Sequence, residues 1–263
     1  MILIETLLLV ITTGLFGLVI GSFLNVCIYR IPREESIAFP ASHCTTCGHP
    51  LSTLDLIPVF SYIFLHGKCR YCKSQISPRY MLVEVFHSLL YMIVVSYFGY
   101  SLETLIFCFL SSIMLILTMI DFEHMILPTK IIIFGAIIGV IFRIIQSILY
   151  KDYTILTNSI LAAGIGYALF YTIFYVSKAL LKKEGMGFGD IRYIAMIGIF
   201  LSPKLLIVTI LLSAVIGSIY GIVQLYIVKT SKEYPYGPFI SMATFISMLF
   251  GDEIINWYLS NFF

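Results

Sequence analysis

Charge is what this sequence has least of. Only 11% of its 263 residues are Asp, Glu, Lys or Arg, against about 25% in soluble domains. A water-soluble surface for a chain of this size cannot be made from so few polar groups. The formal net charge is +2, with no run of like charges and no low-complexity tail. A nucleic-acid partner therefore finds no electrostatic support, and no G-x-G-x-x-G fingerprint announces a soluble nucleotide fold. Long polar stretches are also missing, with one exception at residues 30–80.

What is present is apolar. Hydrophobic residues make up 60% of the chain, mean hydropathy is +1.00, and several runs approach the roughly 20 residues that span a bilayer. The run at 2–29 lacks the basic flank and small-residue cleavage site of a signal peptide, so it reads as an uncleaved first span. Its Gly17-x-x-x-Gly21 spacing suits close helix packing in lipid. Further spans are predicted at about 81–99, 102–120, 131–149, 155–180, 192–202, 205–228 and 239–259, the sixth span of the chain (192–202) being short. The expected fold is an all-α polytopic membrane protein of about eight transmembrane helices, with one long loop after the first.

Lys and Arg orient that layout. Arg30, Arg33, Lys68, Arg70, Lys73, Arg79, Lys130, Lys178, Lys182, Lys183, Arg192, Lys229 and Lys232 fall on the side of the long loop. Only Arg143, Lys151 and Lys204 fall opposite. The long loop is thus predicted to be cytoplasmic. Asp121, ending the third span, and Asp190, opening the sixth, then lie at the same face.

An ionised Asp costs roughly 2.5–3.5 kcal/mol at the centre of a membrane helix, less near its ends, and so tends to mark function. Solvated helix-end residues are the plainer alternative. Gly187 and Gly189 favour function, because they let a backbone or substrate strand approach Asp190 without a Cβ in the way. If the two side chains meet, they share one proton: the charged carboxylate takes a proton from attacking water and the neutral one donates to a peptide carbonyl. Such chemistry needs no catalytic metal.

Cys44-Thr45-Thr46-Cys47 and Cys69-Arg70-Tyr71-Cys72 lie within the long loop. Reducing cytoplasm argues against disulfides, and paired C-x2-C units suit a tetrahedral four-cysteine zinc site of structural type. Two unrelated thiol pairs, or a redox pair, remain open from spacing alone. His43, His49 and His66 are close enough in sequence to substitute for a ligand. Cys27 and Cys108 fall in apolar runs and are expected to pack as small hydrophobes.

Together these residues resemble the bacterial type IV prepilin peptidases, many of which are also N-methyltransferases. The resemblance rests on GSFLNVCIYRIP at 21–32, the two cysteine pairs, Arg79-Tyr80-x3-Glu84, Asp121 with Leu127-Pro128, GMGFGD at 185–190, and YGPF at 236–239. It implies cleavage of the short basic leader of a type IV prepilin or pseudopilin at the cytoplasmic face of the bacterial inner membrane. Asp121 and Asp190 are then the catalytic pair, with Gly187 and Gly189 as their supporting box. It also implies methylation of the new N-terminus from S-adenosylmethionine, with Glu84 as a candidate at the methyl donor. The implied domains are a first helix at 1–29, a zinc loop at 30–80 grouped with 81–100 as the methyltransferase region, and a peptidase core at 101–263. Glu34, Glu35 and Glu123 are candidate acceptors for a basic leader. Two positions depart from the family pattern: Arg192 stands where lysine is usual, and Ser88 where glycine is. Another intramembrane aspartyl protease of the G-x-G-D type, or a transporter with paired carboxylates, is the alternative.

Overall fold

The computed structural model describes residues 2–182, 186–228 and 234–262, and within them the chain is helical with no named strand. Lys183, Gly185, Lys229 and Lys232, used in the sequence reading, lie outside the described residues. In chain order the helices are α1 (Ile2–Arg30), the short α2 (Phe60–Phe64), α3 (Arg79–Phe98), α4 (Leu102–His124), α5 (Thr129–Tyr150), α6 (Thr154–Leu181), α7 (Phe188–Phe200), α8 (Pro203–Val223) and α9 (Gly237–Phe262). Seven are long and apolar enough to cross a membrane. The remaining predicted span, the sixth in chain order, is α7. At 13 residues it rises only about 20 Å, short of the ~30 Å hydrocarbon layer.

The chain divides into two compact units, Met1–Ile116 and Leu117–Phe263, with the boundary inside α4. In the first unit α1 lies against α3. A Cβ on Gly17 would come within 2.7 Å of the Ser88 Cα, and one on Gly21 within 2.9 Å of the Glu84 Cα. The glycine spacing read from sequence therefore marks a contact where backbone meets backbone. Polar groups at that contact are paired with one another. His87 bridges the Gly17 carbonyl (2.7 Å) and the Ser112 hydroxyl (2.9 Å), while the Ser88 hydroxyl donates to the Gly14 carbonyl at 2.8 Å. Each pairing removes a polar group that lipid could not satisfy.

Residues 31–78 form the loop of this unit. Two knuckles repeat one pattern: the Cys44 amide donates to the His49 carbonyl, and the Cys69 amide to that of Ser74. Gly48 and Lys73, each following the second cysteine of its pair, both adopt positive φ, +71° and +61°. Glycine takes that conformation at no steric cost, whereas Lys73 must be held there by its surroundings.

In the second unit the short α7 is enclosed by its neighbours, with Ile191, Tyr193, Ile194 and Ile197 fully buried. Its far end is closed by Arg143 of α5, which donates to the carbonyls of Ile199 and Phe200. Arg143 is buried, so it serves as a helix cap and is not one of the loop charges counted above. The α6–α7 contact depends on Gly198, whose Cβ would approach the Ala163 backbone nitrogen to 2.6 Å. Gly164, one residue on, faces open space.

That contrast gives a test of the packing. Gly198→Ala is expected to push α7 off α6 at a cost of about 1–3 kcal/mol, the usual range for overpacking, and to lower the thermal midpoint of detergent-purified protein. Gly164→Ala should leave the midpoint unchanged or raise it. Equal midpoints for the two variants would remove the backbone-contact account.

Candidate active site

Asp190 is the third residue of α7, and its Oδ2 accepts from the Gly187 amide at 3.2 Å. A carboxylate at this position commonly reaches back to the start of its own helix. Asp121 is held differently. Its own helix continues one turn past it to His124, which places the carboxylate near the negative end of the α4 dipole. A second helix compensates: Asp121 Oδ2 accepts from the Gly237 amide, the first residue of α9, at 3.0 Å. Both carboxylates thus lie at helix N-termini, where amides and dipole favour an anion. Both are also largely withdrawn from solvent, Asp121 at 5% and Asp190 at 7% exposure.

The two converge. A Cβ on Gly189 would meet the Leu127 Cβ at 2.9 Å, and one on Gly237 would meet Leu127 Cδ2 at 3.2 Å. One side chain therefore touches the glycine beside Asp190 and the glycine that holds Asp121. The charge of Asp121 acts on Asp190, and both act on the buried Tyr193 hydroxyl. Tyr193 bonds Ser241 at 2.6 Å, and Ser241 also accepts from Thr118 at 2.7 Å. Thr118 is on α4, Tyr193 on α7 and Ser241 on α9. This chain fastens together the three helices that carry the site.

Sequence reading had singled out Asp121, Asp190, Gly187 and Gly189, and the structure brings all four together. It had missed the part played by Gly237, Tyr193 and Ser241. Gly237 lay in view within YGPF; a Cβ there would stand 2.6 Å from the Asp121 carboxylate, a clash that only the fold reveals. Arg192 donates to the Thr129 hydroxyl at 2.5 Å and lies over the Phe188 ring. Glu123 is near Asp121 and exposed, 3.9 Å from His124.

A second cluster sits in the loop of the first unit. The sulfurs of Cys44, Cys47, Cys69 and Cys72 lie within 4.8 Å of one another, an arrangement that can hold a metal ion. The Cys44 and Cys72 sulfurs are 3.9 Å apart, close to the ~3.8 Å edge of a tetrahedron with 2.3 Å metal–sulfur bonds. That is far beyond the ~2.05 Å of a disulfide. The amides of Cys47 and Thr46 pull the Cys44 thiol down to about 6. At Cys47 the His49 amide acts in the same direction, but burial and the neighbouring Cys72 and Cys44 outweigh it and push that thiol up to about 11. Four cysteine sulfurs at this spacing can serve a single cation. His49 instead packs edge-on against Tyr71, and His43 bonds the Ala41 carbonyl, so neither joins the cluster. Cys27 and Cys108 are buried singly.

Asp55, which the sequence reading passed over, braces this cluster. Its side chain is only 3% exposed, and Oδ1 accepts from Arg70 Nε at 2.6 Å. Oδ2 accepts from the Tyr71 hydroxyl at 3.2 Å and the Ser52 hydroxyl at 2.7 Å. Arg70 and Tyr71 are the two residues between Cys69 and Cys72. Burial alone would raise the Asp55 carboxyl, but the bonds from Arg70 and Ser52 outweigh it and hold the group at about 2.

Seven membrane-length helices, with two buried carboxylates at helix N-termini, define a class: the polytopic all-helical membrane proteins. Residues 15–98 match the bacterial peptidase A24 N-terminal domain, and residues 108–222 match the type IV leader peptidase family. A protein of Pseudomonas putida named prepilin leader peptidase/N-methyltransferase is 35% identical, over 93% of this chain and 91% of its own length. Proteins of the same name from Aeromonas salmonicida and Pseudomonas aeruginosa are 33% and 31% identical, over 94% and 95% of this chain and 92% and 93% of their own. No solved structure matches the chain. The chain belongs to the type IV leader peptidase family.

The brace can be tested apart from any catalysis. Asp55→Ala frees Arg70 and Tyr71 together, so limited proteolysis should nick the 31–78 loop several-fold faster than in the unaltered protein. The membrane helices should keep their thermal midpoint. An unchanged nicking rate would mean that Asp55 holds nothing.

Proposed function

We propose that this protein is an inner-membrane endopeptidase that removes the basic leader from type IV prepilins or pseudopilins at the cytoplasmic face, and that it methylates the N-terminus so exposed. The observation that carries the peptidase half is a pair of buried carboxylates, each at the amide of a helix start, whose neighbouring glycines, Gly189 and Gly237, both lie against the side chain of Leu127. A helix cap alone accounts for one such aspartate. It does not account for a second one, brought from another helix into the same buried region.

Asp121 and Asp190 work as a pair. Crowded, buried carboxyls keep one proton between them, and their titration belongs to both. The ionised member draws a proton from water as the water oxygen attacks the scissile carbonyl. The protonated member gives its hydrogen to the carbonyl oxygen. Collapse of the tetrahedral adduct returns that hydrogen, passes a proton to the leaving nitrogen and breaks the C–N bond, leaving a carboxyl and an amine. Exposed Glu123, two residues beyond Asp121, is placed to receive the positive charge of a leader. The bias of Lys and Arg toward one side orients the site to the cytoplasm.

In the loop, Cys44, Cys47, Cys69 and Cys72 would hold a zinc ion of structural type, since four protein sulfurs leave no position for substrate. The relatives' name supplies the second activity. For that activity S-adenosylmethionine, when bound, would supply an electrophilic methyl group for the neutral new amine. The domain assignment follows: 30–100 serves methyl transfer, and 101–263 serves cleavage.

Asp121→Asn and Asp190→Asn are each expected to abolish leader cleavage of a prepilin in a gel-shift assay while membrane insertion persists. Normal processing by either variant removes the paired mechanism. Elemental analysis of purified protein should find about one zinc per chain, lost in the double variant Cys44→Ser with Cys72→Ser; native protein free of zinc would refute the zinc assignment.

A further inference from the structure

The first unit contains a cavity that the peptidase reading does not use. It has a volume of about 780 Å³ and lies between the C-terminal end of α1, the start of α3 and the cysteine loop. Sites for small organic molecules span roughly 300–1,000 Å³, so the space suits a nucleoside-sized ligand. Ser88, the departure from the family pattern, is not among its walls; its hydroxyl is engaged by Gly14 inside the α1–α3 contact.

The walls have a definite chemistry. Asn25 is 6% exposed, and its Nδ2 donates to the Tyr80 carbonyl at 2.9 Å. Its Oδ1 is buried and meets no donor among the described residues, although buried acceptors are normally paired. Glu84 is 8% exposed; one oxygen accepts from the Val59 amide at 2.7 Å, and a carboxylate has further acceptor capacity. The charged side chains around the cavity are Arg30, Glu35, Asp55, Arg70 and Glu84. Arg70 and Asp55 neutralise each other, which leaves two carboxylates against one guanidinium. Tyr29, Tyr62 and Tyr80 add aromatic surface. A ligand fitting these walls carries positive charge, hydrogen-bond donors and a flat or cation-bearing group for aromatic faces.

We propose that this cavity is the binding site of the methyl donor, a cationic sulfonium nucleoside, with Glu84 and Asn25 as its polar anchors and the three tyrosines as its aromatic wall. The proposal rests on the reading of the chain as a methyltransferase as well as a peptidase. It turns Glu84 from a motif position into one wall of a defined space. It adds Asn25, which lies within GSFLNV and had no role.

The test uses the full-length chain in detergent with tritiated S-adenosylmethionine, read by equilibrium binding. Saturable binding, competed by S-adenosylhomocysteine, is expected in the unaltered protein. It should weaken about tenfold or more in both Glu84→Gln and Asn25→Leu, each of which removes a polar anchor. Binding at full strength in both variants overturns the site. Glu84 also holds the Val59 amide, so a second measurement avoids substitution altogether: ultraviolet crosslinking of the labelled donor to the unaltered chain, followed by peptide mapping. Label within residues 22–84 supports the site; label confined to residues 117–262 overturns it and leaves methyl transfer standing. Protein that binds no donor and releases unmethylated product from a prepilin removes the methyltransferase reading, and this site with it.

Discussion

Two carboxylates held away from water, each by the opening amide of a helix, are the constraint around which the second unit is organised. A buried carboxylate without donors is among the costliest groups a fold can contain. Placing each at a helix N-terminus offsets that cost and fixes where the helices must begin. Asp190 holds the start of α7, and Asp121 reaches across to the start of α9. The shortness of α7 follows from the same need. It must open at Gly187 and close where Arg143 takes its last carbonyls, so it cannot have the length of a full span.

The first unit addresses a different difficulty. A stretch of nearly fifty residues between α1 and α3 has little core to hold it, and among the described residues of 31–78 only Gly67 and Cys69 are buried. Order comes instead from local ties: two matching knuckles, four sulfurs gathered within 4.8 Å, and Asp55 gripping the residues between one cysteine pair. The result is a loop firm enough to form a wall of the cavity beside α1 and α3.

Much of this was legible because lipid makes sequence patterns simple. Apolar runs placed the helices within a few residues of their observed ends. The span at 102–120 was drawn short because Asp121, Glu123 and His124 read as a polar boundary; the helix continues through them, since Asp121 is satisfied by α9 and need not reach water. Arg143 was counted as a loop charge for a similar reason, its buried carbonyl partners being nearly sixty residues away. Polar residues that pair at long range look, in one dimension, like polar residues facing solvent.

The sequence by itself determined the helical membrane architecture and the gathering of cysteines, and it pointed to Asp121, Asp190 and the glycines around them as residues out of place in an apolar chain. These properties are carried by composition, spacing and residue type. Only the tertiary structure decided that Gly237 donates to Asp121, that Leu127 touches both the glycine beside Asp190 and the glycine that holds Asp121, that Asp55 braces the knuckles, and that Asn25 and Glu84 line one cavity. Each of those facts brings together side chains distant in the chain, and a distance of that kind exists only after folding.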